Sequence, residues 1–219
     1  MATKLHVYRG REVVVTYDLR RCIHAAECLR ALPVVFDMRL RPWVQPNAAP
    51  ADAIAEAVIR CPSGALHFER MDGGASEAPP SKNTIMVDPD GPLYVRGDIE
   101  LATPEGTVLL DDTRVAFCRC GASQNKPFCD NSHLEAGFLD DGVLGDNCVR
   151  VEEGIETGGR LRVVPSPNGS LKFYGDLELR SADGRITYSG NRVSLCRCGA
   201  SKNPPFCDRS HRQIGFQGS

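Results

Sequence analysis

The sequence holds no apolar run approaching the roughly 20 residues that cross a bilayer, so no membrane-spanning helix is expected. It has little charge of either excess sign. Its 26 Lys and Arg against 28 Asp and Glu leave −2, which gives no reason to expect a nucleic-acid partner. No secretory leader is recognisable, so the expected setting is soluble, cytoplasmic and reducing, where thiols stay unpaired. No nucleophile–base pair or substrate-pocket motif is present, and no enzyme is expected. With 219 residues, 42% hydrophobic and 25% charged, the composition is globular, with room for two small domains.

What the chain does have is ten cysteines, most of them in a pattern. Cys118, Cys120, Cys129 and His133 form a Cys-x-Cys-x8-Cys-x3-His run, and Cys196, Cys198, Cys207 and His211 repeat it. Three thiols and one imidazole within sixteen residues make a soft-metal donor set. Two donors four apart stack on one face of a helical turn, so Cys129 and His133 are expected to share one. Pro127 suits the entry of that helix and Asp130 its first turn. A helix start there would offer backbone N–H groups to the sulfurs. Spacing alone leaves iron–sulfur and zinc both open, although Cys-x-Cys is short for structural zinc.

The full motif extends further. Ser123, Pro127, Asp130 and Ser132 accompany the first donor set, and Ser201, Pro205, Asp208 and Ser210 the second. Both stretches closely resemble the CDGSH iron–sulfur domain of the mitoNEET family. The resemblance implies a [2Fe–2S] cluster held by three Cys and one His in each copy. It also implies a fold built as an intertwined homodimer with a shared β-cap. Both copies depart from the motif at its Gly position, which is Asn131 in the first and Arg209 in the second. Asn tolerates positive φ and Arg does not. The second site is therefore expected to be strained or differently shaped if that position needs positive φ.

Residues 4–17 alternate as a hairpin turning at Arg9-Gly10. A short helix is expected over Leu29–Leu32, stopped by Pro33, then a hairpin of Val34–Asp37 with Pro42–Gln45. A helix from Ala51 to Arg60 would carry Ile54, Val58 and Ile59 on its apolar side. Cys22, Cys28 and Cys61-Pro62 are similar to a bacterial ferredoxin run whose second ligand falls on Ala25. Residues 1–70 thus resemble a divergent single-cluster ferredoxin domain. Three thiolates suit a [3Fe–4S] cluster, or a [4Fe–4S] cluster completed by water or a side chain, with His24 the nearest candidate. The alternative is three buried structural cysteines. His6 and His67 read as ordinary strand residues.

Residues 71–83 are rich in Gly, Pro and Ser and read as a flexible linker. The remainder is a duplication offset by 78 residues, about half of whose positions from Gly91 to Phe138 match their partners. The repeats run 84–138 and 161–219, each a set of strands with turns at Glu105-Gly106 and Asp183-Gly184. The connector 139–160 holds Cys148, without an equivalent and read as a free thiol. The expected fold class is α+β, a ferredoxin-like domain followed by a β-rich tandem pseudo-dimer within a monomer. The expected function is one-electron transfer to or from a redox partner protein. The alternative is cluster storage, transfer to an apo-acceptor, or redox and pH sensing, since a single His ligand is proton-sensitive. A zinc-stapled interaction module is a third reading.

Overall fold

Contacts divide this computed structural model into two compact units, Met1–Ala78 and Pro79–Ser219. The structure describes residues 5–143, 150–151 and 158–218.

The first unit is a three-stranded antiparallel sheet with two short helices. Strands β1 (Leu5–Arg9), β2 (Val13–Asp18) and β3 (Leu66–Arg70) lie in that order. The alternation of β2 sends Val13, Val15 and Tyr17 inward, against Phe36, Val44, Ile54 and Val58. Helix α1 spans Glu27–Ala31, two residues earlier than the sequence suggested, because Ala26 at φ 59 turns the chain into it. Helix α2 spans Ala51–Val58. It ends before Arg60, where the Cys61 N–H reaches back to the Val58 carbonyl at 3.0 Å, and Ile59 is left 42% exposed. The second expected hairpin shrinks to one bridge between Phe36 and Val44.

The stretch expected as a linker is fastened at its middle and at its C-terminal end. Glu77 bonds the His67 ring at 3.0 Å and accepts from the Phe68 N–H at 3.3 Å. Asn83 is buried, and its amide donates to the carbonyls of Gly159 and Asp176 at 2.9 Å each.

The described residues of the second unit form a β-structure with one α-helical turn, α3 (Ser132–Glu135), and a 3-10 turn at Ser210–Arg212. Its strands are β4 (Thr84–Val87), β5 (Leu93–Ala102), β6 (Val108–Phe117), β7 (Arg150–Val151), β8 (Arg160–Pro165), β9 (Leu171–Arg180) and β10 (Ile186–Leu195). The pairing is reciprocal. β4 runs antiparallel to β5 of its own repeat and parallel to β9 of the other, with Thr84 opposite Glu178. β8 runs antiparallel to β9 and parallel to β5, with Arg162 opposite Glu100. Each residue in the second pairing stands 78 positions from its counterpart in the first. The first strand of each repeat is thus inserted into the other repeat, the exchange that intertwined subunits make, closed here within one chain. Both repeats feed one core, in which Leu93, Val95 and Phe117 meet Leu171, Phe173 and Leu195. Burying each such side chain contributes about 2 kcal/mol. Among the described residues no helix is long and apolar enough to cross a membrane.

Candidate metal centre

Strands β6 and β10 deliver the donors. β6 ends at Phe117 and runs directly into Cys118, and β10 ends at Leu195 and runs into Cys196. The loop after each strand doubles back along it. Cys118 donates to the Pro127 carbonyl at 2.9 Å and Cys129 to the Ala116 carbonyl at 2.9 Å. Cys196 and Cys207 repeat this with Pro205 at 2.7 Å and Ser194 at 3.0 Å. A serine hydroxyl holds each loop closed. Ser123 Oγ donates to the Phe128 carbonyl and Ser201 Oγ to the Phe206 carbonyl, both at 2.7 Å. Asp130 accepts from the backbone N–H groups of Gln124 and Ser132, and Asp208 from those of Lys202 and Ser210.

The donors arrive in twos. Sγ of Cys118 and Cys120 lie 3.6 Å apart, and Sγ of Cys129 lies 3.5 Å from His133 Nδ1. In the second loop Cys196 and Cys198 are at 3.5 Å, and Cys207 and His211 Nδ1 at 3.5 Å. Metal–sulfur bonds of about 2.3 Å in a tetrahedron put ligand atoms about 3.7 Å apart, so each pair fits the edge of one tetrahedral metal. Among the described residues no three His, Cys, Asp or Glu converge on a single ion. Backbone N–H groups of Ala122 and Asn131 point at Cys120 and Cys129 sulfurs, each at 3.4 Å.

Several local expectations change. Pro127 stands in the returning loop, five residues before α3 begins at Ser132, and Asp130 precedes the helix. What brings Cys129 to His133 is a left-handed residue between them, Asn131 at φ 70, and not a shared helical turn. Arg209 has the same conformation at φ 73, so the second loop keeps the shape of the first.

In the first unit Cys22, Cys28 and Cys61 line one concavity together with Tyr17, Trp43, Ala25 and His24. Cys61 is buried and the other two half-buried. Burial, with the Cys61 and Cys22 thiols nearby, pushes the Cys28 thiol up to about 11. His24 at φ 52 and Ala26 at φ 59 both take left-handed backbone in the loop between Cys22 and Cys28. Cys148 lies outside the described residues.

Comparison with known proteins decides what these loops are. Residues 90–134 and 168–212 match the family of iron-binding zinc fingers of CDGSH type, and residues 8–70 match the divergent 4Fe-4S mono-cluster family. The chain carries two CDGSH-type iron-binding domains in tandem behind a divergent 4Fe-4S mono-cluster domain. The uncharacterized protein YjdI of Escherichia coli K12 is 28% identical over 61 residues, which are 28% of this chain and 80% of YjdI. YjdI of Escherichia coli O157:H7 matches to the same extent. No solved structure matches the chain significantly.

The two CDGSH loops touch. Gly121 and Gly199 take φ 84 and 77 and lie back to back with the other loop. A Cβ on Gly121 would stand 2.6 Å from the Cys198 carbonyl oxygen, and one on Gly199 would overlap that of Cys120. A residue that sequence reasoning passed over is the Arg inside each Cys-x-Cys. Arg119 and Arg197 are nearly fully buried. Arg119 Nε donates to the Gly91 carbonyl at 2.9 Å and its guanidinium pairs with Asp140 at 2.5 Å. Arg197 Nε donates to the Gly169 carbonyl at 2.7 Å, and Nη2 to Gly218 at 3.0 Å. The signal was available, since Cys-Arg-Cys occurs in both copies.

The electrostatics favour one thiolate, at Cys120, and neutral rings. The Cys118 thiol bonds Cys120 and holds it down at about 6, while Cys118 itself is pushed up by that bond and by burial. Burial raises Cys129 and Cys198 to about 11 each, so either would ionise only in exchange for a metal bond. Burial holds His133 and His211 below the ordinary imidazole value. A neutral Nδ1 is the form that donates to a metal.

Proposed function

We propose that the chain is a multi-cluster one-electron carrier. Each CDGSH loop would hold a [2Fe–2S] cluster, with the Cys-x-Cys pair on one iron and the Cys–His pair on the other. The observation that carries this is the grouping of donors in twos at 3.5–3.6 Å, in both copies. Cys22, Cys28 and Cys61 would hold a [3Fe–4S] or [4Fe–4S] cluster, with His24 on the wall of the same concavity. The clusters supply one-electron chemistry when bound. The chain supplies the rest: thiolates stabilised by Ala122 and Asn131 N–H groups, and an imidazole in place of a fourth thiolate, which lowers negative charge and raises the potential. The N-terminal domain on this reading is ferredoxin-like. No substrate chemistry is assigned, and the protein acts as a cytoplasmic monomer whose pseudo-twofold partner is internal.

The test is reduction of the anaerobically purified chain by a ferredoxin reductase, followed by visible absorption and electron paramagnetic resonance. Bleaching of visible bands with one-electron signals supports the carrier. Failure of any donor to reduce the protein, with cluster delivered instead to an apo-ferredoxin, would favour storage or transfer. That second reading draws support from His211, which borders an open concavity where protons reach the ring.

A further inference from the structure

The two CDGSH repeats share a fold and a donor set but carry opposite charge. Residues 84–140 hold ten Asp and Glu against four Lys and Arg, a formal −6. Their counterparts in 162–218 hold four Asp and Glu against nine Lys and Arg, a formal +5. Near-neutral total charge conceals this polarity. The difference gathers round the donors. Where the first repeat has Tyr94, Gln124, Asn131 and Leu134, the second has Lys172, Lys202, Arg209 and Arg212. Where the first has Asp88 and Asp140, the second has Ser166 and Gly218.

The cations stand where they meet a visitor. A concavity of about 780 Å³ is bordered by the donors Cys207 and His211 and by Lys172, Arg209 and Arg212. Arg209, Arg212 and Lys202 are exposed and Lys172 half-buried. The one carboxylate of the loop, Asp208, is spent on the Lys202 and Ser210 N–H groups. Arg209 occupies left-handed backbone at φ 73, an arrangement costing about 1–2 kcal/mol for an ordinary residue. A positive side chain is thus held beside the donors against a local conformational cost.

We infer that this cationic face of the second repeat is a docking surface for an acidic one-electron carrier protein. The inference rests on the electron-transfer reading above and names the kind of partner. A positive patch speeds encounter with a negative partner, and juxtaposed like charge suppresses wrong orientations. The −6 of the first repeat repels the partner that the +5 of the second attracts, so the field sets orientation as well as attraction. The partner arrives over Cys207 and His211, which border the concavity, and the path for one electron is short there. One electron would pass from the reduced carrier, which is oxidised, to the group that Cys207 and His211 would hold, which is reduced, and no bond or proton moves.

The test uses the full chain and a fluorescently labelled plant-type [2Fe–2S] ferredoxin of acidic surface, with a basic c-type cytochrome as control. Binding is read by anisotropy as ionic strength rises from about 0.01 to about 1 M, over which the screening length falls from about 30 to about 3 Å. The ferredoxin is expected to bind at low salt and lose at least about tenfold in affinity across that range. The variant Lys172→Tyr/Lys202→Gln/Arg209→Asn/Arg212→Leu carries residues that the first repeat already accommodates. It should keep the visible absorbance of the wild type and bind ferredoxin at least about tenfold more weakly. The control Asp90→Asn/Glu135→Gln should bind no more weakly than wild type. Absence of ferredoxin binding at low salt, salt-independent binding, equal binding by the four-residue variant, or stronger binding of the cytochrome would each overturn the inference. If small donors reduce the chain but ferredoxin does not bind, the surface fails and the carrier reading stands. If ferredoxin binds as expected but no electron passes on mixing, the carrier reading fails and the surface stands as a site for an acidic protein.

Discussion

The two CDGSH loops pose one backbone problem with two different residues. Asn131 and Arg209 occupy the same left-handed position, at φ 70 and 73. Asn accepts that conformation readily, and Arg pays for it. The loops nevertheless keep the same turn, because the Ser123 and Ser201 hydroxyls and the Asp130 and Asp208 carboxylates tie them at the same points. The framework dictates the backbone and overrides the preference of a single residue. The main difference between the loops lies in charge and strain.

The largest test of that framework is the place where the loops meet. Gly121→Ala and Gly199→Ala each push a methyl into the carbonyl of the opposite loop, and each should destabilise the protein by about 3 kcal/mol. Because the contact is mutual, either change should lower the retention of iron in both domains, whereas Cys129→Ala or Cys207→Ala should empty only its own. Iron analysis with thermal melting checks this. Iron lost from one domain only in the Gly variants would mean the loops are independent.

Ser123→Ala and Ser201→Ala come next. Each leaves a carbonyl and an N–H without the hydroxyl that bridges them, at a cost of about 1–3 kcal/mol. Equal losses in the two melting curves are expected from the matching geometry.

Acid should separate the domains. Both rings are held below the ordinary imidazole value, chiefly by burial. The neutral ring is the folded and metal-binding form, so this contribution is present above about pH 6.5 and is lost as pH falls through the lowered values. At His133 the Asp88 and Asp130 carboxylates oppose the lowering and Arg119 adds to it, while at His211 Arg212, Arg197 and Arg209 add to it and Asp208 alone opposes it. The first domain should therefore release its cluster at the higher pH. Decay of visible absorbance in Cys207→Ala and Cys129→Ala, which leave one domain each, measures the order. Release from the second domain first would show that Arg209 strain outweighs the charges.

The smallest effect isolates that strain. Arg209→Asn should stabilise the protein by about 1 kcal/mol and Asn131→Arg should cost the same, read as shifts in melting midpoint. No change in either direction would show that the left-handed position carries no cost.

Much of the donor arrangement was legible because it occurs twice. Duplication made Cys-x-Cys-x8-Cys-x3-His conspicuous and fixed the offset along which β4 and β8 exchange. The route to Cys–His proximity was not legible. Four-residue spacing suggests a helical turn, but an Asn in left-handed backbone does the same work, and sequence periodicity does not distinguish them. Ile59 reads as apolar helix face yet lies past the end of α2, a boundary set by one Cys61 hydrogen bond. Arg119 and Arg197 escaped because Arg is an exposed residue by habit. Their burial depends on carbonyls of Gly91 and Gly169, which are 28 residues away in the chain.

The central claim is that donors in twos hold two irons per CDGSH domain. Iron, zinc and acid-labile sulfide in the anaerobically purified full chain test it most directly. About seven irons per chain are expected if the N-terminal domain holds [3Fe–4S], about eight if [4Fe–4S], with four of them lost in the double variant Cys129→Ala/Cys207→Ala. Two zinc ions per chain, without sulfide or a visible band, would contradict the account.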